Sequence, residues 1–411
     1  MQTRVFHNAN VLTLDSCRPS AQAVLVEDEK IAHVGSDQEV LRRAPPDAQR
    51  IDLEGKTLLP GFNDNHIHVR GLGESAWTLK LHSLNEQEIV ECLKQRYTGY
   101  APGEILTAAG WDYHRCPHPH RYLLDEAFPS NPVLLGQFGG HALWVNTRAL
   151  KEMKVDLRVP RPAGETIPER SEGEHTGIVT DYVNNKYIRY QKRKRLRNKN
   201  MLREQMLLGF QKLRKVGITT AQDNTWHHTV VQLLGALHRE GSLTCRMSCW
   251  FWGESFVEAF LMRMQSFDTG WFHRGPSKLF ADGSFSGRSA WLTTPYINDG
   301  ENCGTGRSAE ELIRKMEPHV KHHRQIACHA IGDRAVEEYL NAVEALQRRY
   351  PWTRELRLRV EHAQLVRPQD MDRLRDLGVL VAAQPSALSS PQKDVALLGE
   401  ERALRAYPYR S

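Results

Sequence analysis

Four segments of this sequence carry side chains of the kind that bind divalent metal ions. LLPGFNDNHIHV holds His66 and His68 as an H-x-H pair, SKLFADGS holds Lys278, IACHAIGDRA holds His329 and LRVEHAQ holds His362. Each of these basic residues stands in or at the end of an apolar, strand-like run, which is how a barrel enzyme offers ligands at the C-terminal ends of its strands. Residues i and i+2 of a strand share a face, so the H-x-H predicts two imidazoles side by side. Neutral imidazole suits zinc and similar ions. One strand-terminal histidine is more often a core residue than a ligand; two on successive strand–helix units, beside an H-x-H, predict a four-histidine binuclear layout. Lys278 needs a further step, because an ammonium beside two divalent ions is disfavoured. Burial and positive neighbours lower a lysine pKa and expose the neutral amine. That amine can add carbon dioxide and become a carbamate, whose two oxygens can bridge two metals. The plainer alternative is a Lys278 that pairs with Asp282 or reaches solvent.

Such side chains need elements to hold them. Residues 1–58 read as short strands: RVFHNANVLTL, QAVLVEDEKIAHVG and AQRIDLEGKTLLP alternate apolar and polar residues between turn signals. From Leu58 onward short apolar runs alternate with helical stretches, the pattern of strand–helix units around a parallel sheet. Seven runs are candidate barrel strands: LLPGFNDNH, GITTAQD, LTCRMSCWFW, SKLFADG, QIACHAIG, LRVEHAQ and VLVAAQP. SAEELIRKMEPHVKHH opens with Ser308 and Glu311 at capping-box spacing. DRAVEEYLNAVEALQRRY keeps apolar residues at helical spacing and ends in basic residues, as the helix dipole prefers. The stretch between the first strand and GITTAQD is far longer than one strand–helix unit of ~30 residues needs, so an inserted subdomain is expected at about 70–215.

Composition narrows the class. The chain has 411 residues, 40% hydrophobic and 25% charged, as in an ordinary globular protein. It has no long uncharged apolar run and no secretory signal pattern at its N-terminus, so no membrane partner is expected. Seven scattered cysteines fit a reducing cytoplasm, and Cys245 and Cys249, the closest pair, read as core residues. Much of the net charge of +6 comes from YIRYQKRKRLRNKNMLR. It reads as the solvated face of a helix continuing into REQMLLGFQKLRKVG, rather than as a nucleic-acid contact.

Taken together, PGFNDNHIH, KLFADGS, HAIGDRA and RVEHAQ resemble the amidohydrolase superfamily, and within it the amidohydrolase 3 (YtcJ-like) branch. GGHALWVNTRAL adds to the likeness, which runs from the N-terminal β-region to the end of the chain. The resemblance implies an α/β fold: a TIM-like barrel, residues 59–411, preceded at 1–58 by the N-terminal part of a β-sandwich built from both chain ends. It implies that His66, His68, His329 and His362 are metal ligands and that Lys278 is the bridging, carboxylated lysine. One or two divalent ions, zinc foremost, and carbon dioxide as the Lys278 carbamate are the implied cofactors. Two departures stand out. The segment after the lysine reads GSFSGR where the family's reads like GSLGSR, with Arg288 in place. The family's general acid–base aspartate, on a last barrel strand, has no counterpart before Ser411; that strand and the returning sandwich strands are expected to be missing.

The expected chemistry is hydrolysis of non-peptide carbon–nitrogen bonds, in amides, N-acyl or N-formyl amines, by a metal-activated hydroxide. A catalytically impaired relative that binds metal or ligand is the alternative, because removing a general acid–base group costs ~10²–10⁴-fold in rate. Asp282 and Asp333 are weak substitutes for the missing acid, with helix capping or ligand orientation as their plainer roles; Asp394 reads as solvated. His141, Arg288 and Trp111 are candidate substrate contacts. Trp226, Trp250 and Trp291 are further candidates for an apolar pocket, and His227 and His228 for a loop facing the site. A small-molecule amide-type substrate is the expected partner, and a homodimer is left open.

Overall fold

The computed structural model describes residues 2–113, 115–137, 142–154, 170–171, 174–180, 199–225, 227–254, 260, 270–285, 288–297, 299–384 and 391–406. The chain divides into two compact units, one of Met1–Asn63 with Gly217–Thr220 and one of Asp64–Val216 with Ala221–Ser411.

The first unit is built from the short strands that the alternation predicts. Thr3–His7 pairs antiparallel with Ala23–Glu27 and parallel with Gln49–Asp52, and Lys30–Gly35 completes a four-stranded sheet. Asn10–Leu12, Ser20–Ala21 and Thr57–Leu58 form a three-stranded one. Asn8 and Asp28 break the strands in the left-handed region, both at φ 53°, where Asn and Asp are the best tolerated non-glycine residues. An expectation of strands alone misses the helix Asp37–Arg43. Ser36 and Glu39 close a reciprocal capping box at its start, and Val40 packs with Val5, Ala23 and Leu25.

Seven strands then lie side by side in one sheet, in chain order: β1 (Phe62–Ile67), β2 (Ile218–Asp223), β3 (Arg246–Trp252), β4 (Phe272–Phe280), β5 (Ile326–Ala330), β6 (Arg359–His362) and β7 (Leu380–Ala382). The pairings from β3 to β7 are all parallel. This near-closed sheet is a TIM-like barrel, and each of its strands overlaps one of the seven apolar runs, although β4 begins five residues before SKLFADG and β1 runs one residue past LLPGFNDNH. Alternation decides which way each strand residue points. Leu279, Cys328, Ala330 and Val360 pack outward against α4 (Ala309–Lys321) and α5 (Asp333–Arg349), on Leu312, Met316, Val336, Tyr339 and Leu340. Lys278, Phe280, His329, Arg359 and Glu361 therefore face inward. Ser308 and Glu311 cap α4 reciprocally, and α5 ends in Arg348 and Arg349.

The long segment between β1 and β2 begins with α1 (Val69–Trp77) and returns through α2 (Lys199–Lys215), the helix expected after the basic run. The run's residues 187–198 lie outside the described residues. Between the two helices stands a five-stranded mixed sheet, in the order Ile178–Thr180, Ala142–Val145, Val133–Gln137, Leu106–Trp111, Leu79–Lys80. The helices α1 and α2 cross at glycines. A Cβ on Gly73 would sit 1.7 Å from the Gln205 carbonyl oxygen, and one on Gly209 would sit 2.5 Å from that of Val69. Glycine is required at both places because backbone meets backbone. The helix His228–Arg239 (α3) follows β2.

Candidate metal centre at the C-terminal ends of the strands

The four histidines named by the sequence meet. Ring centroids lie 5.8 Å apart for His66 and His68, 5.0 Å for His66 and His362, and 4.5 Å for His329 and His362. His66 belongs to β1, but the strand ends at Ile67 and His68 stands at the start of α1. The pair thus straddles a strand–helix junction rather than sharing a strand face. Asp223, at the end of β2, fixes that junction: its carboxylate accepts the Val69 N–H at 2.7 Å and the Thr225 hydroxyl at 2.8 Å. Burial pushes Asp223 up to about 6 against those hydrogen bonds.

The histidine rings are held from behind, and the holders are residues that motif reading does not single out. His66 Nδ1 lies 2.5 Å from Glu361 Oε2, and Asn224 Nδ2 lies 3.3 Å from His66 Nε2. Glu361 is fully buried and is in turn gripped by Arg359, whose Nε donates to Oε1 at 2.9 Å. Arg359 also donates to Gln222 and to the Asn65 carbonyl, and its guanidinium lies 4.9 Å from the centroid of the buried Trp250. Gln384 bonds His362 Nδ1. His362 and Ala363 both turn left-handed, at φ 76° and 43°. Such residues cost on the order of 1–3 kcal/mol each; here the turn ends β6 while the Ala363 N–H donates to the Ala330 carbonyl at 3.0 Å. His329 Nε2 meets the Gly283 carbonyl at 2.7 Å.

Burial keeps the rings of His68, His329 and His362 neutral. Burial, reinforced by Lys278, lowers His329 to about 3. Burial and then His329 and Lys278 hold His362 well below the usual range. His68 keeps open surface at the strand ends although protein surrounds it on its other sides; burial and His66 lower it to about 4. Lys278 is 2% exposed, and burial lowers it to about 8, with Glu361 pulling the other way. Its Nζ lies 4.9 Å from the Phe280 ring centroid, and among the described residues no carboxylate lies within salt-bridge distance of it. The donor set therefore fits a divalent ion in its chemistry: neutral imidazoles and a lysine poised to lose its proton. Among the described residues no three His, Cys, Asp or Glu groups already converge as a finished ion site.

The remaining candidates are placed as follows. Asp282 accepts the Ile331, Gly332 and Trp291 N–H groups, at 2.9, 2.8 and 3.0 Å; burial pushes it up to about 7. Asp333 opens α5 and holds Thr293 through its N–H and hydroxyl. Both carboxylates thus clamp loops. Asp394 lies in the first turn of the helix Pro391–Leu398. Arg288, expected at a substrate, makes an ion pair with Asp299 at 3.1 Å and is 42% exposed. Trp111 is fully buried in the inserted sheet, its indole N–H donating to the Leu135 carbonyl at 2.8 Å. A side chain with no free surface packs rather than binds, and Trp144 and Tyr113 surround it. Trp291 packs on the outer core and accepts the Arg334 and Ala335 N–H groups. His227 caps α3 and stacks on His228 at 4.4 Å. Cys245 and Cys249 are buried. His141, Trp226, Ser286 and Gly287 lie outside the described residues. Among the described residues no helix is long and apolar enough to cross a membrane.

Comparison with known proteins gives the family and the fold. The sequence model described as the amidohydrolase family matches residues 49–411. The putative amidohydrolase YtcJ of Bacillus subtilis (strain 168) is 26% identical, over 99% of this chain and 78% of its own. The N-substituted formamide deformylase of Arthrobacter pascens is 27% identical, over 94% of this chain and 73% of its own. A crystal structure of an uncharacterized metal-dependent hydrolase from Pyrococcus furiosus superposes with a TM-score of 0.80 at 25% identity, covering 98% of this chain and 82% of that one.

Proposed function

Because the chain belongs to the amidohydrolase family, we propose that it is a metal-dependent hydrolase of carbon–nitrogen bonds outside peptides, such as those of amides and N-acyl or N-formyl amines. The observation that carries this reading is the meeting of four imidazoles, those of His68, His329 and His362 held neutral by burial, and a buried lysine lowered to about 8. The formamide deformylase of Arthrobacter pascens supports the bond class. His66, His68, His329 and His362 would hold one or two divalent ions, zinc foremost, with Lys278 as their bridge. A divalent ion bound there supplies Lewis acidity, lowering the pKa of water and polarising a carbonyl oxygen.

The protein's own residues do the rest. Lys278, as the free amine, would supply the nitrogen for a carbamate: on adding carbon dioxide it would form a nitrogen–carbon bond and lose one N–H proton to solvent. Glu361 and Gln384 orient the rings of His66 and His362. Asp223 anchors the turn that carries His68.

A second reading, a relative that binds metal or ligand with impaired turnover, draws on one observation. Asp282 and Asp333, the expected weak substitutes for the missing acid, have their oxygens occupied by backbone N–H groups and Thr293, which leaves them poorly placed to pass a proton to a departing amine. Metal analysis after zinc or manganese loading, with a screen of formamides and N-acyl amines, separates the readings. Metal with turnover supports the first, and metal without turnover the second. A folded chain that takes up no metal overturns the first and leaves of the second ligand binding alone.

A further inference from the structure

Between the barrel wall and the histidines lies a buried polar chain, and orienting a ring leaves open which of its nitrogens carries the proton. Arg359 and Glu361 point inward from β6, 6% and 0% exposed. Arg359 spends its donors on Gln222, the Asn65 carbonyl and both Glu361 oxygens, the latter at 2.9 and 3.3 Å. Oε2 of Glu361 is also 2.5 Å from His66 Nδ1. A carboxylate only accepts hydrogen bonds, so Nδ1 must carry a proton there. On the far side of the same ring Asn224 Nδ2, a donor, lies 3.3 Å from Nε2. The two contacts agree on one tautomer. We propose that Glu361, braced by Arg359, is a positioning residue that fixes His66 in the Nδ1–H tautomer and so keeps Nε2 as its electron-pair donor. The proposal rests on the reading of His66 as a metal ligand for its purpose, but not for its geometry.

The pair is costly to bury for packing alone, since two charges removed from water gain stability only when fully partnered. Its geometry offers a sharp substitution. Glu361→Gln keeps the shape but offers one oxygen and one NH2. Either orientation sets the NH2 against an arginine N–H; Arg359 Nε at 2.9 Å claims the oxygen ahead of Nη2 at 3.3 Å, because the closer contact tolerates two facing donors least. The NH2 then faces His66 Nδ1, which must accept, and the ring proton moves to Nε2.

The test reads the tautomer in metal-free full-length chain labelled with 15N-histidine at pH 8, with His66 identified by the signal lost in His66→Gln. We expect Nδ1–H in the unaltered chain, Nε2–H in Glu361→Gln, and an apparent Kd for zinc weaker by ~10–100-fold in that variant. Melting temperature and circular dichroism verify that it folds. Should it not fold, the tautomer of the unaltered chain alone decides. Nε2–H in the unaltered chain overturns the proposal, as does a folded Glu361→Gln that keeps Nδ1–H and the parent's zinc affinity. If the unaltered chain takes up no zinc, the metalloenzyme reading fails while the tautomer still decides this one.

Discussion

Lys278 is held at about 8, so near neutral pH an appreciable fraction of it is a free amine, whereas an ordinary lysine, near ~10.4, has almost none. Substituting it separates a bridging carbamate from mere packing. Lys278→Met keeps the apolar volume and removes the amine; metal content should fall and bicarbonate should lose any effect on metal uptake, as followed by metal analysis. Unchanged metal content and activity would remove the carbamate from the account. His362 offers a second test at this scale. Its left-handed backbone is fixed by the chain, but among the described residues its ring makes one hydrogen bond, to Gln384. Gln384→Ala should therefore weaken metal affinity by ~10–100-fold while shifting the melting temperature little, as measured by competition with a chromogenic chelator.

Among the elements, the turn from β1 into α1 is the most exposed to a single change. Asp223→Ala strips the Val69 N–H of its partner inside the protein and is expected to cost ~1–3 kcal/mol in a denaturant titration; Asp223→Asn, which retains an acceptor, should cost less. A surface cap sets the scale: Ser308→Ala, at the start of α4, should cost ~1 kcal/mol. Sequence reading succeeded where one strand or helix carries its own signal. The seven apolar runs became the seven strands, and the capping box at Ser308 marked α4 to the residue. The same signal, Ser36 with Glu39, marked a helix in the N-terminal unit that a reading tuned to alternation passes over. What stayed hidden is what long-range folding creates. Glu361 stands beside His362 in the RVEHAQ segment, yet it serves His66, 295 positions away. Gln384 and Asp223 carry no motif at all. Trp111 looked like a substrate contact because an aromatic residue beside a polar motif reads alike in a core and in a pocket; only the inserted sheet packed around it decides.

For the molecule as a whole, acid should be a threat. The folded pKa values of His319 and His329 are lowered to about 4 and 3, below the ~6.5 of an unfolded histidine. Their contribution is fully present above ~6.5 and is lost as pH falls toward the folded values, because the unfolded chain takes up protons first. His68 and His362 act in the same direction. Asp282 and Asp223, raised to about 7 and 6, work the other way: their contribution is present below ~3.8 and lost as pH rises through 6 to 7. Four histidines against two aspartates leave a net loss on acidification. The melting temperature of the metal-free chain should drop between pH 7 and about pH 4.5, and drop less in His319→Gln. A curve that stays flat or rises on acidification would show that the aspartates prevail.

The glycine crossing of α1 and α2 reaches further than packing. Val69 meets Gly209 while Gly73 meets Gln205, so the two helices run antiparallel, and the chain leaves the barrel beside the place where it comes back. The described residues between 78 and 180 thus hang from a neck whose two sides are already fastened. Such a neck is a natural splice point: everything beyond it can lengthen, shrink or be exchanged between relatives while the histidines below keep their places. A shortened or grafted insert joined at that neck is therefore the place to begin redesigning the molecule.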